Sequence, residues 1–195
     1  MSAPIDFYFD FSSPYGYLAS TQIDALAERH GRKVEWRPFV LGAAFKVTGQ
    51  KPLVEQPLRG PYHERDFARS ARLLGVPFRM PAGFPFFALG ASRAVYWLGG
   101  EKGKAFAKAV YHAAFGEGRD VTVLATLTEL AVGLGVTGLA EGIELAETKA
   151  SLRDATDQAI ARGVFGSPFF FVDGEPFWGH DRLAQVEIWL ARGGW

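Results

Sequence analysis

Three short stretches carry groups whose types and spacing could do chemistry. The first is Ser12-Ser13-Pro14, which follows an alternating apolar run and opens a helix. Ser is a favoured N-cap, and Pro suits the first helical position because its missing N–H would have no partner there. Residue type leaves Ser13 either as a cap or as a hydroxyl donor to an anion at the helix mouth, a thiolate or a carboxylate. The second is Gly163-Val-Phe-Gly-Ser-Pro-Phe-Phe-Phe-Val172. There Ser167–Pro168 is either an ordinary trans strand entry or one of the roughly 5% of X-Pro bonds that are cis. The cis form would turn the Ser167 N–H and C=O toward a ligand's peptide group. The third is Phe177-Trp-Gly-His-Asp-Arg-Leu183. Asp181 there is either the cap of the last helix or an acceptor for a ligand ammonium, with His180 beside it.

Other chemistries are excluded by composition. The 195 residues include no cysteine, so disulfides, thiolate nucleophiles and Cys-ligated metal centres are ruled out. The four histidines, His30, His63, His112 and His180, have no paired spacing, and no metal site is expected. Neither a phosphate loop nor a GxSxG nucleophile elbow is present. Twenty-one Lys+Arg balance 21 Asp+Glu, which removes any general attraction to nucleic acid. No uncharged run reaches the roughly 18 residues of a membrane span, and Met1–Tyr8 lacks the pattern of a signal peptide. The expected compartment is therefore the cytoplasm, with no membrane partner.

The elements that must position these groups follow from periodicity. Residues 5–11 alternate, with Ile5, Phe7, Phe9 and Phe11 on one side, and predict a strand. Tyr15, Leu18, Ile23 and Leu26 continue at helical spacing until Gly31, and Lys33–Arg37 alternates again as a second strand. Phe169–Val172, Asp173-Gly174 and Glu175–Trp178 predict a hairpin with Pro176 on an edge strand, followed by a helix over Arg182–Arg192. Between the two ends, helices are expected over Tyr62–Leu74, Ala88–Leu98, Lys104–Phe115, Thr122–Leu134 and Leu152–Arg162. Ser151 and Asp154 have the spacing of a capping box for the last of these.

A β-α-β start, a helical middle and a Pro-led β-β-α end make an α/β chain with the layout of a thioredoxin-like fold with an inserted all-helical domain. Residues 1–40 with 163–195 form the split thioredoxin-like domain in this reading, and 41–162 the helical insert with its connections. In that fold a Cys-Pro-x-Cys motif sits at the first helix. Here the positions read Ser13-Pro14-Tyr15-Gly16. The chain resembles the bacterial 2-hydroxychromene-2-carboxylate isomerases and, with them, the kappa-class glutathione transferases. The likeness runs nearly end to end through Phe7–Tyr15, Trp36–Gly42, Phe165–Val172 and Phe177–Arg182.

The resemblance implies a glutathione-dependent isomerase of an aromatic acid, working by reversible thiolate addition. Ser13 would be the catalytic residue at the glutathione sulfur. Ser167 and Pro168 would meet the cysteinyl part, and His180 and Asp181 the γ-glutamyl end. Gln50 falls where the family often carries an Asn near glutathione. Tyr15, Phe45, Arg59 and Phe87 are the residues assigned to the second substrate, with Arg59 as the carboxylate partner. Arg59 replaces a Lys common in the family, and Phe87 an expected Asn. A homodimer is implied by family analogy alone. Two other outcomes stay open from the residues: a kappa-like transferase, and a non-catalytic protein that binds glutathione or a small acid.

Overall fold

The computed structural model describes residues 3–195. The first alternating run forms β1 (Ile5–Phe9), which pairs in parallel with β2 (Val34–Pro38). The strand stops at Phe9 because pairing ends there, opposite Pro38. On its other edge β1 runs antiparallel to β3 (Phe169–Val172), which turns at Asp173-Gly174 into β4 (Glu175–Trp178). Both turn residues have positive φ, 53° and 92°, as a two-residue hairpin of this twist requires. The sheet order is β2-β1-β3-β4, so Pro176 lies on an edge strand, where its missing N–H breaks no ladder.

Alternation sends the strand side chains into two cores. Phe7 stacks on Phe170 at 5.2 Å and meets Trp36 edge-on at 5.0 Å on one face of the sheet. Tyr8, Phe169 and Phe171 form the other core with Phe39, Ala159 and Val164. A sheet buried on both faces holds its strand ends still, and those ends carry the site.

The first helical stretch differs from the continuous helix predicted up to Gly31. It forms α1 (Pro14–Ser20) and α2 (Ile23–Arg29), broken at Thr21 and Gln22. Side chains there compete for the helical carbonyls: Ser20 donates to Tyr17 O, while Thr21 and Gln22 both donate to Leu18 O. After β2 comes α3 (Leu41–Thr48), which the sequence reading did not anticipate, and then α4 (Arg59–Leu74). The helices that follow are α5 (Leu89–Leu98), α6 (Gly100–Tyr111), α7 (Leu124–Gly133) and the short α8 (Leu139–Gly142). The last one before β3 is α9 (Ala146–Ala161). It starts earlier than expected, so Ser151 is mid-helix; its hydroxyl bonds back to Glu147 O at 2.8 Å instead of capping. The chain ends with α10 (Leu183–Arg192). No helix among the described residues is long and apolar enough to cross a membrane.

Candidate active site

Ser13 is the N-cap of α1, held where β1 ends. Its Oγ accepts the Gly16 N–H at 3.0 Å and donates to the Ser167 carbonyl at 2.8 Å. The second bond ties the β1–α1 turn to the chain that enters β3. Capping is therefore realised, and the hydroxyl proton is already placed on a backbone acceptor. The Ser167–Pro168 bond is cis, as is Phe84–Pro85. Because α1 has only seven residues, its dipole is small, and the hydroxyl is the stronger means of holding an anion.

Beneath Ser13 the turn is fixed by Asp10. One carboxylate oxygen accepts from the Ser12 N–H at 2.8 Å and the Ser12 hydroxyl at 2.7 Å. The other accepts from the Leu41 N–H at 2.8 Å, at the start of α3. Burial pushes the Asp10 carboxyl above the ordinary carboxylate range, against the pull of those bonds.

Two adjoining cavities open here, sharing Tyr15, Leu53, Ser167 and Trp178 in their walls. The smaller, about 380 Å³, is largely aromatic: Phe45, Phe67, Phe84, Phe86 and Phe87 line it with Ser13, Gln50 and Leu41. Lys51 is its cationic residue and Glu55 its anionic one. The larger, about 910 Å³, is polar. Arg59, Tyr62, His63 and Asp66 face into it from α4, and Pro168, His180, Asp181 and Arg182 from the other side.

All ten residues singled out in the sequence line one or both cavities. They divide between the two cavities. Gln50, assigned to glutathione, lines the aromatic cavity, whereas Arg59, assigned to the second substrate, lines the polar one. Asp181 does not cap α10, whose N-cap is Arg182 without a side-chain bond. Its carboxylate accepts from Arg182 at 2.9 Å, and its side chain is 60% exposed. Gly179 allows this geometry: its φ of 107° turns the chain out of β4, and its N–H donates to Pro168 O at 3.0 Å.

The sequence reading missed the wall supplied by α4. Arg59, Tyr62, His63, Asp66 and Ser70 recur at helical spacing and give that helix a polar face, a signal present in the sequence where only a helix over Tyr62–Leu74 was expected. The Tyr15 hydroxyl donates to Asp66, and His63 Nδ1 lies 3.0 Å from the Tyr15 hydroxyl oxygen. With the phenol O–H directed at Asp66, the network assigns the imidazole proton to Nδ1. Burial and Asp66 push the Tyr15 phenol up, so it stays protonated. Burial also pushes Asp66 up, but the bonds from Tyr15 and Arg69 outweigh it and its carboxyl is lowered. His180 stacks on Tyr15, with ring centroids 4.8 Å apart and 10° between planes.

His63 and His180 are both lowered from the ordinary imidazole value of 6.5, chiefly by burial, with neighbouring carboxylates pulling the other way. For a base with a depressed folded-state pKa, the stability contribution is whole above the unfolded value. It is lost as pH falls through the folded one. Melting temperature is thus expected to fall between about pH 7 and 5. His180→Gln and His63→Gln should each flatten that fall in thermal melts. Parallel curves for variants and parent would contradict it.

The arrangement places the Ser13 hydroxyl in the aromatic cavity, bonded to Ser167, which also lines the adjoining polar cavity with its charges of both signs. A family model for the DsbA-like thioredoxin domain matches residues 4–191. The 2-hydroxychromene-2-carboxylate isomerase of Sphingobium xenophagum is 36% identical over 97% of this chain and 99% of its own. The chain belongs to that isomerase family, within the DsbA-like thioredoxin domains. A solved structure of a 2-hydroxychromene-2-carboxylate isomerase superposes with a TM-score of 0.89 at 27% identity, over 96% of this chain and 94% of the other. Glutathione S-transferase kappa 2 of Caenorhabditis elegans is 27% identical over 96% of this chain and 91% of its own. The isomerase family thus supplies the DsbA-like frame of a four-stranded sheet with helices, and this member is an enzyme built on that frame.

Proposed function

We propose that the protein is a glutathione-dependent isomerase of an aromatic acid of the 2-hydroxychromene-2-carboxylate type. The observation that carries this reading is the place of the Ser13 hydroxyl: it lines the aromatic cavity and bonds to Ser167, a wall residue that the polar cavity shares, in a chain without cysteine. The polar cavity suits glutathione by the chemistry of its donors. Asp66 and Asp181 offer acceptors for an ammonium, and Arg59 and Arg182 offer donors for carboxylates. Asp66, Asp181, Arg59 and Arg182 would hold glutathione there, and it would supply a thiolate for reversible addition to an electrophilic carbon of the acid.

The chain's own groups have four tasks. Ser13 has a single proton, and it lies on the Ser167 carbonyl. Turning that proton to a sulfur requires the carbonyl to find another donor, and an amide N–H of a peptide ligand is one. Ser167 therefore couples occupancy of the peptide to release of the hydroxyl. Tyr15, fixed by Asp66 and His180, forms the wall between the two cavities. The aromatic wall, Phe45 and Phe87 included, excludes water and holds the acid's rings against the sulfur.

Arg59 is on the polar side, so we assign it to a glutathione carboxylate, and Lys51 to the carboxylate of the aromatic acid. Both charges are solvent-facing, so about three- to fivefold effects are expected. Lys51→Met should raise KM for the acid and leave glutathione affinity unchanged; Arg59→Met should do the reverse. The opposite pattern in steady-state kinetics would return the assignment to Arg59.

Product mass tests the function itself. Incubation with glutathione and a hydroxychromene carboxylate should give an isomer of unchanged mass with glutathione regenerated. A stable glutathionyl adduct would favour a kappa-like transferase reading of the same site. Saturable glutathione binding with no turnover would make it a binding protein.

A further inference from the structure

One buried phenol in the floor of the site has no part in the reading above. Tyr111, the last residue of α6, is fully buried and ringed by Phe9, Phe11 and Phe115. A single π-helical turn, His112–Gly116, follows it. Phenylalanine would fill the same volume, and a buried hydroxyl is unfavourable unless it is bonded. Here it is bonded to one particular acceptor, the Asp10 carbonyl, at 2.9 Å.

That carbonyl also accepts the Ser13 N–H at 2.9 Å. The Asp10 N–H donates to Ser167 Oγ at 3.0 Å, and the Ser167 carbonyl receives the Ser13 hydroxyl at 2.8 Å. Tyr111 is thus joined to Ser13 by two routes, one through a shared carbonyl and one across the strand ends to Ser167. A steric contact completes the arrangement. A Cβ added at Gly16 would collide with the Tyr111 hydroxyl oxygen and would lie 3.1 Å from Ser167 Oγ and 3.2 Å from Ser13 Cβ. The phenol oxygen occupies the space that a side chain at position 16 would need.

We infer that Tyr111 is a positioning residue for Ser13: its hydroxyl stands in for a side chain at position 16, braces the Asp10–Ser13 turn against Ser167, and so fixes how the Ser13 hydroxyl faces the aromatic cavity. The inference deepens the proposed use of Ser13 and rests on it. Removing the hydroxyl leaves the ring and its packing intact and takes away one of the two donors to the Asp10 carbonyl, so Tyr111→Phe isolates the brace from the core.

Two measurements test it. In the ligand-free protein, urea unfolding of Tyr111→Phe, Ser167→Ala and the double variant should show coupling of about fivefold or more in the unfolding constant. Additive losses would overturn the brace whatever reaction the protein performs. In the glutathione complex, Tyr111→Phe should raise the pH midpoint of thiolate formation by about half a unit to one unit and, at pH values well below that midpoint, lower kcat by a corresponding about three- to tenfold. KM for the aromatic acid should stay unchanged. A variant with the parent's midpoint and kcat confines Tyr111 to packing and overturns the positioning role. If the parent forms no bound thiolate, the proposed function fails with it, and coupling in the unfolding cycle then marks Tyr111 as a structural brace only. Gly16→Ala serves as a steric control: it should destabilise the parent, and far less so the Tyr111→Phe background, where the colliding oxygen is gone.

Discussion

Ser13→Ala is expected to lower kcat/KM by about ten- to a hundredfold and to move the acidic limb of the pH–rate profile upward. The size follows from the bond lost. A free thiol with a pKa of about 8.5 is only a few per cent ionised at pH 7, and lowering it by roughly two units makes the thiolate the major form. That shift corresponds to about 2.7 kcal/mol, and a hydrogen bond to a charged acceptor supplies roughly 1.5–3. The gain is limited, because sulfur nucleophilicity falls as its pKa falls. In the proposed reaction the remaining rate enhancement comes from holding the acid against the sulfur, which the variant is expected to retain. Ser13 also bridges Gly16 N–H and the Ser167 carbonyl, so thermal melts should accompany the kinetics. Full activity with an unchanged pH profile would remove Ser13 from the reaction.

Ser13→Cys is expected to abolish isomerisation and trap the protein as a mixed disulfide with glutathione. A sulfur at this N-cap accepts the Gly16 N–H, which favours its thiolate. Exposed to glutathione disulfide, that thiolate attacks one sulfur. One S–S bond breaks, one forms, and glutathione thiolate leaves, with no net change in oxidation state. A dithiol enzyme would resolve the adduct with a second sulfur three residues on. Gly16 offers none, its side-chain space is filled by the Tyr111 oxygen, and the chain has no cysteine elsewhere. Mass spectrometry of the intact variant should therefore find a persistent glutathionyl adduct. An unmodified variant, or an adduct that clears without added reductant, would contradict the geometry assigned to residue 13.

Much of the frame was legible because it is written in short-range patterns. The alternation of Ile5 to Phe9 and the Asp173-Gly174 turn are local, and Pro176 restricts its strand to an edge whatever lies around it. The break at Thr21 and Gln22 was not legible, since apolar spacing continues through it while hydroxyl and amide side chains take the carbonyls. Helix α3 escaped for a different reason. Its first N–H is satisfied by Asp10, 31 residues earlier, and no local cap marks the start.

The same division runs through the site. Ser13, Ser167 and Asp181 lie on motifs, and motif spacing picked them out. Asp66, His63 and Lys51 lie on ordinary helical or loop sequence and reach the cavities only through long-range folding, which likewise brings the buried Tyr111 to the Asp10 carbonyl. Arg59 and Gln50 were found by position, but which cavity each one lines depends on how α4 and the loop before it pack, and no spacing encodes that.

Ultraviolet titration of the thiolate band in the protein–glutathione complex addresses the central claim directly. The account predicts a midpoint about two units below that of free glutathione in the parent, and a midpoint near the free value in Ser13→Ala. A parent complex that titrates like free glutathione would contradict it.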